Sequence, residues 1–390
     1  MPRPAHIAMV NIPAHGHVNP SLDVIRELVS RGHRVSYVND PTFAEQIGTT
    51  GARLVPYETG LEILKGRAVV PGTNVHGMVF GEAQAMLPRM REAFHDDRPD
   101  LVLYDFMAYA GRVLADGWGV PSMLVSPSRI AQADPEAEPF RTVMAALEAE
   151  GVPERFAKWL AENGVAPRDM FSYMMRPDRG LALIPRALQN AVDEVDPEVF
   201  SFAGPCLDNR EHQGGWTRPQ GAQKVLLVSL GSAFTHQPAF YRACLEAFGD
   251  LPGWHVVLQV GKATDPAELG PIPANVEVHP WVPQFAVLRQ ADAFITHAGM
   301  GGCSEGLYCG LPMVAVPQAA DQFENADRLV ELGVARRLDT EQATAEALRS
   351  AVLELTTDPA VAARLAEIGA EVRAGGGASR AADLIEAALV

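Results

Sequence analysis

Residues Ile295–Gln322, ITHAGMGGCSEGLYCGLPMVAVPQAADQ, join a strand to a helix through a glycine turn and then repeat the pattern with a second strand. The apolar run Ala293-Phe294-Ile295-Thr296 stops abruptly at His297. Gly299, Gly301 and Gly302 let the backbone approach a ligand closely, and a helix starting near Cys303 points its N–H groups and positive dipole end at that ligand. Such a seat suits a phosphate. Glu305, one turn into the helix, is placed to accept hydrogen bonds from ribose hydroxyls. The second strand, Pro312 to Pro317, runs out at Gln318, Asp321 and Gln322, polar groups on the edge where parallel sheets present their ligand sites.

Outward from that stretch the whole chain alternates short β-rich runs with amphipathic helices. At 390 residues it exceeds the size at which a single core stops growing, so two domains of roughly 200 residues each are expected. His6 to Ile12 reads as a strand, Pro13 to His17 as a turn, and Asn19-Pro20 as a cap followed by proline at the first helical position. The helix stops at Gly32, and Arg34 to Val38 completes a βαβ unit. Further strands are expected at 53–56, 101–104, 122–125, 181–184 and 200–202, and Met78, Val79, Met86, Leu87 and Met90 mark the core face of a helix between Val75 and Phe94. Residues 129–178 are helical, carry Phe140, Met144, Phe156, Trp159, Phe171, Tyr173, Met174 and Met175, and read either as a flap over a hydrophobic pocket or as plain core. The Pro- and Gly-containing segment 204–223 reads as the connection between domains. Beyond it the alternation restarts with strands at 225–229, 254–260, 276–279, 293–296 and 313–316, separated by helices at 238–248, 284–290 and 304–309. Helices over 344–372 follow, and Gly375-Gly376-Gly377 permits a bend before a last helix from Ser379 to Leu389. Two Rossmann-like α/β domains in tandem fit this order better than one large sheet.

Bulk properties narrow the function. A formal charge of -16 argues against nucleic acid or an anionic membrane surface as partner and leaves any phosphate to be held by local dipoles. The first residues, MPRPAHIAMVNIPAHGH, lack the apolar block of a signal peptide, which makes the cytoplasm the default. Cys206, Cys244, Cys303 and Cys309 have no CxxC spacing and read as free, buried thiols. Gly302-Cys303-Ser304-Glu305-Gly306 matches a hydrolase nucleophile elbow, but that architecture needs a later histidine and none follows His297. The first strand–helix turn has one glycine, which leaves a nicotinamide dehydrogenase unsupported, and no Walker A, HExxH or Asp-x-Asp pattern occurs. His15-x-His17 lacks a carboxylate cluster and makes a weak metal site.

The candidate chemistry then follows from strand ends. His17, near the end of the first strand, is suited to take a proton from an alcohol, with His15 its rival. Asp105 directly follows the strand Leu101-Val102-Leu103-Tyr104 and emerges on the same rim, where it can fix the imidazole tautomer. Gly231-Ser232 opens a further turn with backbone donors for phosphate. Trp281, between prolines in HPWVPQ, is placed to stack on a planar base, and His297 to donate to a diphosphate oxygen.

The stretches AHGHVNPSLDVIRELVSRGHRV, RPDLVLYD, VLLVSLGSAFTHQPAFYRACLEAFGDLPGWHVVLQVG, WVPQ, THAGMGG, PQAADQFENAD and SRAADLIEA together resemble family 1 glycosyltransferases of the two-domain GT-B type. The likeness is greatest to the bacterial macrolide glycosyltransferases that inactivate antibiotics. It implies two Rossmann-like domains facing across a cleft: 1–205 for the acceptor, a linker at 206–223, 224–374 for the nucleotide sugar, and 375–390 returning to pack on the N-terminal domain. It implies UDP-glucose or a TDP-sugar as donor substrate, no prosthetic group and no required metal. The acceptor is a hydrophobic small molecule such as a macrolide or polyphenol, the assembly a monomer or homodimer. His17 and Asp105 align with the family's base and its partner. Trp281 and Val282 fall at the uracil, Gln284 and Glu305 at the ribose, Ser232, His297, Gly299, Gly301 and Gly302 at the diphosphate, and Asp321 and Gln322 at the sugar hydroxyls. The implied reaction is a single inverting displacement. A sugar-nucleotide epimerase and a non-catalytic nucleotide-sugar binder are the alternatives on the same architecture.

Overall fold

A computed structural model describes residues 3–60, 75–130, 138–207, 214–232 and 234–389. They form two compact units, each built on its own parallel sheet.

The first unit begins β1 (His6–Val10), α1 (His15–Ser30), β2 (Arg34–Asn39), α2 (Ala44–Gly48), β3 (Arg53–Pro56), α3 (Val75–Ala93), β4 (Leu101–Tyr104). It continues α4 (Ala110–Trp118), β5 (Ser122–Ser126), α5 (Glu138–Ala149), α6 (Val152–Glu162), α7 (Met170–Met175), β6 (Gly180–Ala182) and β7 (Phe200–Phe202). The strands lie in the order β3-β2-β1-β4-β5-β6-β7, all parallel. Alternation along β1 supplies both faces: Ala8 and Val10 pack into a core with Met86, Met90 and Val113, while Ile7 and Met9 join Leu22 and Ile25 of α1. Phe156 and Trp159 pack edge-on around Phe80 and Tyr109, and Tyr173 packs edge-on against Phe156, so these aromatic residues of the 129–178 segment are core. Phe140 and residues 131–137 lie outside the described side chains.

The second unit runs β8 (Lys224–Ser229), α8 (Pro238–Phe248), β9 (Trp254–Gln259), β10 (Val276–His279), α9 (Gln284–Leu288), β11 (Ala293–Thr296), α10 (Met300–Cys309), β12 (Met313–Ala315), α11 (Gln322–Glu331) and β13 (Ala335–Arg337). Then come α12 (Ala345–Thr357) and α13 (Pro359–Ala374). The sheet order is β10-β9-β8-β11-β12-β13, again all parallel.

Several expectations need correction. The cap of α1 is Ala14, not Asn19, and Pro20 sits inside the helix. The N–H groups of His17 and Val18 both reach the Ala14 carbonyl, so the helix is nucleated by the preceding turn, and His17 belongs to its first turn. Helix α10 starts at Met300 with Gly299 as cap, which makes Gly301 and Gly302 helical rather than turn residues. α2, α4, α11 and β13 were not foreseen. The described part of the expected linker is fastened to the second unit: Trp216 Nε1 donates to Glu277 at 2.8 Å, the Trp216 carbonyl accepts from Gln290 at 2.6 Å, and Arg218 pairs with Asp292. Residues 208–213 of that linker lie outside the described residues. Ile184–Asn190 also group with the second unit, where Arg328 Nε donates to the Ala187 carbonyl at 2.9 Å. None of the four cysteines is in a disulfide; Cys309 is partly exposed and the other three are buried.

Helix α14 (Gly377–Glu386) belongs to the first unit. Ala378, Ala381, Ala382 and Ile385 are buried in the same core as Leu22 and Ile25, their small side chains allowing close approach to α1. At the rim Arg31 donates to Glu27, Asp383 and Glu386, and His33 Nε2 lies 3.0 Å from Glu386. Ile385 is fully buried whereas Asp383 is 66% exposed, so the apolar contact outweighs the ion pairs. Ile385→Ala is expected to cost ~2–5 kcal/mol in urea unfolding. Arg31→Ala is expected to cost no more than about 1 kcal/mol. A reversed ranking would mean that charge rather than burial fastens the helix.

Candidate active site

In each sheet the strand order reverses once, and ligand sites of open parallel sheets form at the carboxyl ends of the strands flanking that reversal. In the first unit these strands are β1 and β4, and in the second β8 and β11.

Val10 pairs with Tyr104, so the residues that follow leave the sheet side by side. The Asp105 N–H donates to the Val10 carbonyl at 2.9 Å, and the chain after Asn11 turns into α1, bringing His17 back over the strand end. Asp105 is fully buried; its Oδ1 accepts from the Met107 N–H at 2.8 Å, and its Oδ2 lies 2.7 Å from Nδ1 of His17. A carboxylate already anchored by a backbone donor is a poor proton donor and a good acceptor. It therefore holds the proton on Nδ1 of the ring and puts the lone pair on Nε2. Phe106 packs against the imidazole at 5.4 Å between centroids. His15 is exposed and packs on Phe43 at 5.0 Å between centroids.

In the second unit Ser229 pairs with Thr296, so Gly231-Ser232 and His297 emerge from neighbouring strands. The His297 ring is wedged between two glycine backbones. A Cβ on Gly231 would stand 2.6 Å from its Cε1, and one on Gly299 would collide with its Nε2. Burial pushes the His297 pKa down to about 4, against an opposing pull from Asp321. Its Nδ1 is buried and meets no partner among the described residues. At neutral pH the ring is therefore uncharged. The N–H groups of Met300, Gly301 and Gly302 open α10 and have no intrahelical acceptor, and Cys303 is the first to bond back, to Gly299 at 3.0 Å.

Glu305 lies one turn into α10, as expected, and is buried. Gln284, at the start of α9, donates through Nε2 to Oε2 of Glu305 at 2.7 Å, joining the two expected ribose residues. Trp281 is 56% exposed, which removes it from the core, while Val282 is buried with its N–H on Oε1 of Gln259. Ser232 is exposed. Asp321 caps α11 by position and is exposed; Gln322 is buried, its side-chain oxygen accepting from the N–H groups of Gln318 and Ala319 at 2.8 and 3.1 Å. All the expected donor residues thus lie at the carboxyl ends of the strands of one sheet.

Sequence reasoning missed two buried amides. Gln259 donates to Ser229 Oγ and the Gly231 carbonyl while accepting from Val282, which links the Ser232 turn to the Trp281 loop. Asn325 links the turn after His297 to Asp321. Neither carries a motif of its own.

Gly299→Ala is expected to displace the imidazole and raise the His297 pKa from about 4 toward 6.5 in an NMR titration. Gly301→Ala, with nothing within 4 Å of the new Cβ, leaves it unchanged. Indistinguishable titrations in the two variants would remove the steric account. Because the folded value lies below the ordinary 6.5, this histidine's contribution to stability is whole above that pH and is lost as pH falls from 6.5 toward 4.

A sequence profile described as UDP-glucoronosyl and UDP-glucosyl transferase matches residues 208–369. The oleandomycin glycosyltransferase of Streptomyces antibioticus is 53% identical over 403 residues, covering 99% of this chain and 91% of the relative. The NDP-glycosyltransferase YjiC of Bacillus licheniformis is 37% identical, covering 98% of each. The crystal structure of the glycotransferase of kitacinnamycin matches with a TM-score of 0.90 and 50% identity, covering 100% of both chains. That of CalG4, the calicheamicin glycosyltransferase, matches at 0.86 and 35%, covering 99% of this chain and 98% of the other.

Proposed function

Because the chain belongs to this glycosyltransferase family and has its two-unit GT-B fold, we propose that it moves a hexose, glucose in our reading, from a nucleoside diphosphate to a hydroxyl of a hydrophobic natural product, inverting the anomeric centre. The observation that carries the reading is the His17–Asp105 pair: an imidazole held at 2.7 Å by a buried, backbone-anchored carboxylate. His17 takes the acceptor's hydroxyl proton through Nε2. The acceptor oxygen forms its bond to the anomeric carbon as the bond to the diphosphate oxygen breaks, and the nucleoside diphosphate leaves with the electron pair. An α-linked donor gives a β-glycoside. Positioning and stabilisation of the leaving group supply most of the acceleration.

For the donor, the exposed face of Trp281 suits the base, with Val282 beside it, and the Gln284–Glu305 pair suits the ribose hydroxyls. Ser232, neutral His297, Gly299 and the N–H groups of Gly301 and Gly302 suit the diphosphate, which in this reading needs no metal. Asp321 and Gln322 suit the sugar hydroxyls. A macrolide acceptor is supported by the names of two relatives, the oleandomycin enzyme and the demethyllactenocin mycarosyltransferase of Streptomyces fradiae, the second 33% identical. Among the described residues no helix is long and apolar enough to cross a membrane.

Incubation with UDP-glucose or TDP-glucose and a panel of macrolides and phenols, read by mass spectrometry, is expected to give an acceptor heavier by one hexose residue. An epimerase would alter the donor without any acceptor, and a non-catalytic binder would leave both unchanged. His17→Ala is expected to lower transfer by ~10²–10⁴-fold while UDP affinity stays as in the parent. Asp105→Asn, which no longer holds the Nδ1 proton, should fall in the same range. Glu305→Ala instead raises the donor KM. Loss of UDP binding in His17→Ala would move that residue to the donor site and end the general-base assignment.

A further inference from the structure

Asn325, the fourth residue of α11 and 1% exposed, ties together two segments that the proposed reaction uses separately. Its Nδ2 donates to the Ala298 carbonyl at 3.0 Å and to Oδ2 of Asp321 at 2.9 Å, which occupies both amide hydrogens. The opposite orientation of the amide would aim Oδ1 at two oxygens, so repulsion fixes this one. Oδ1 is buried and meets no partner, a penalty that an apolar side chain of the same volume would avoid.

What the amide holds is strained. Ala298 adopts φ +60°, a left-handed conformation uncommon outside glycine, and stands directly between His297 and Gly299. Its N–H is held by Oγ1 of Thr296 at 3.1 Å and its carbonyl by Asn325. The turn that wedges the imidazole is thus clamped from both ends, and the outer clamp is the same side chain that orients Asp321.

We propose that Asn325 is a positioning residue for the donor, setting the His297 ring and the Asp321 carboxylate together and so coupling the seat of the diphosphate to that of the sugar. This rests on the donor site assigned under the proposed function. Without the amide, the Ala298 turn relaxes, water reaches the imidazole, and Asp321 is free to rotate.

The test uses Asn325→Ala and Asn325→Asp in the full chain. Asn325→Ala is expected to raise the donor KM by an amount on the order of 10-fold, to weaken UDP binding in calorimetry, and to leave the acceptor KM unchanged. In the ligand-free protein the His297 titration is expected to move up from about 4 toward 6.5. Asn325→Asp keeps the volume, sets a second carboxylate against Asp321, and is expected to exceed the alanine variant in every readout; it carries the test alone should the alanine variant not fold. A merely structural role would lower kcat through a smaller active fraction with both KM values and the His297 titration unmoved, and that result overturns the proposal. If the parent enzyme neither transfers sugar nor binds UDP, the functional reading fails, while the His297 titration still decides whether Asn325 sets the ring.

Discussion

A parallel strand can be reached only by a crossover, crossovers are right-handed, and a sheet covered on both faces must therefore be wound outward from its middle in two directions. Each sheet here obeys that constraint with one reversal of strand order, at β1/β4 in the first and β8/β11 in the second. The loops that leave the two central strands depart to opposite faces, and side chains and N–H groups converge between their starting points. His17 with Asp105, and Gly231 with His297, are adjacent for that reason, although 88 residues separate the first two.

The two histidines are tuned oppositely by what touches them. His17 has a carboxylate on Nδ1, which stabilises the imidazolium that forms when the ring accepts a proton. His297 is enclosed by glycine backbone, with Asp321 the opposing charge and with an unpartnered Nδ1, and burial keeps it neutral. A proton acceptor and a neutral donor are what an alcohol substrate and an anionic leaving group respectively require. In the proposed reaction one residue type would fill both roles, because the surroundings of each ring differ.

Much of this was legible in local pattern. Continuous apolar runs such as Leu101–Tyr104 mark strands buried on both faces, and the residue after such a run leaves the sheet at its carboxyl end, which was enough to bring Asp105 and His17 to one rim. Helix starts were less legible, because the signals compete: Asn19-Pro20 looks like a cap and N1, yet the Ala14 carbonyl nucleates the helix a turn earlier, and of three glycines that look like a turn, Gly301 and Gly302 are drawn into α10 once its packing favours a helix. Fully illegible were Gln259 and Asn325, whose partners lie 23 to 30 and up to 27 residues away. An amide's function there depends on three-dimensional neighbours that no short-range pattern encodes. In the Pro- and Gly-containing segment expected to join the domains, the Trp216 indole is held by Glu277, an acceptor 61 residues away that no local pattern announces.

The membership of Gly376–Val390 in the first unit has a consequence for biogenesis. Domains of multidomain chains generally fold in the order of their synthesis. Here the sheet made first leaves one flank of α1 uncovered, apolar and waiting for Ala381 and Ile385, until residues 376–390 emerge from the ribosome. The later-encoded sheet, whose strands β8 to β13 and covering helices are contiguous in the chain, has all its partners in hand sooner. The nascent protein thus carries a sticky patch throughout translation of residues 207–375, and stalling or termination before residue 376 yields a chain exposed to chaperones and proteases at the first unit.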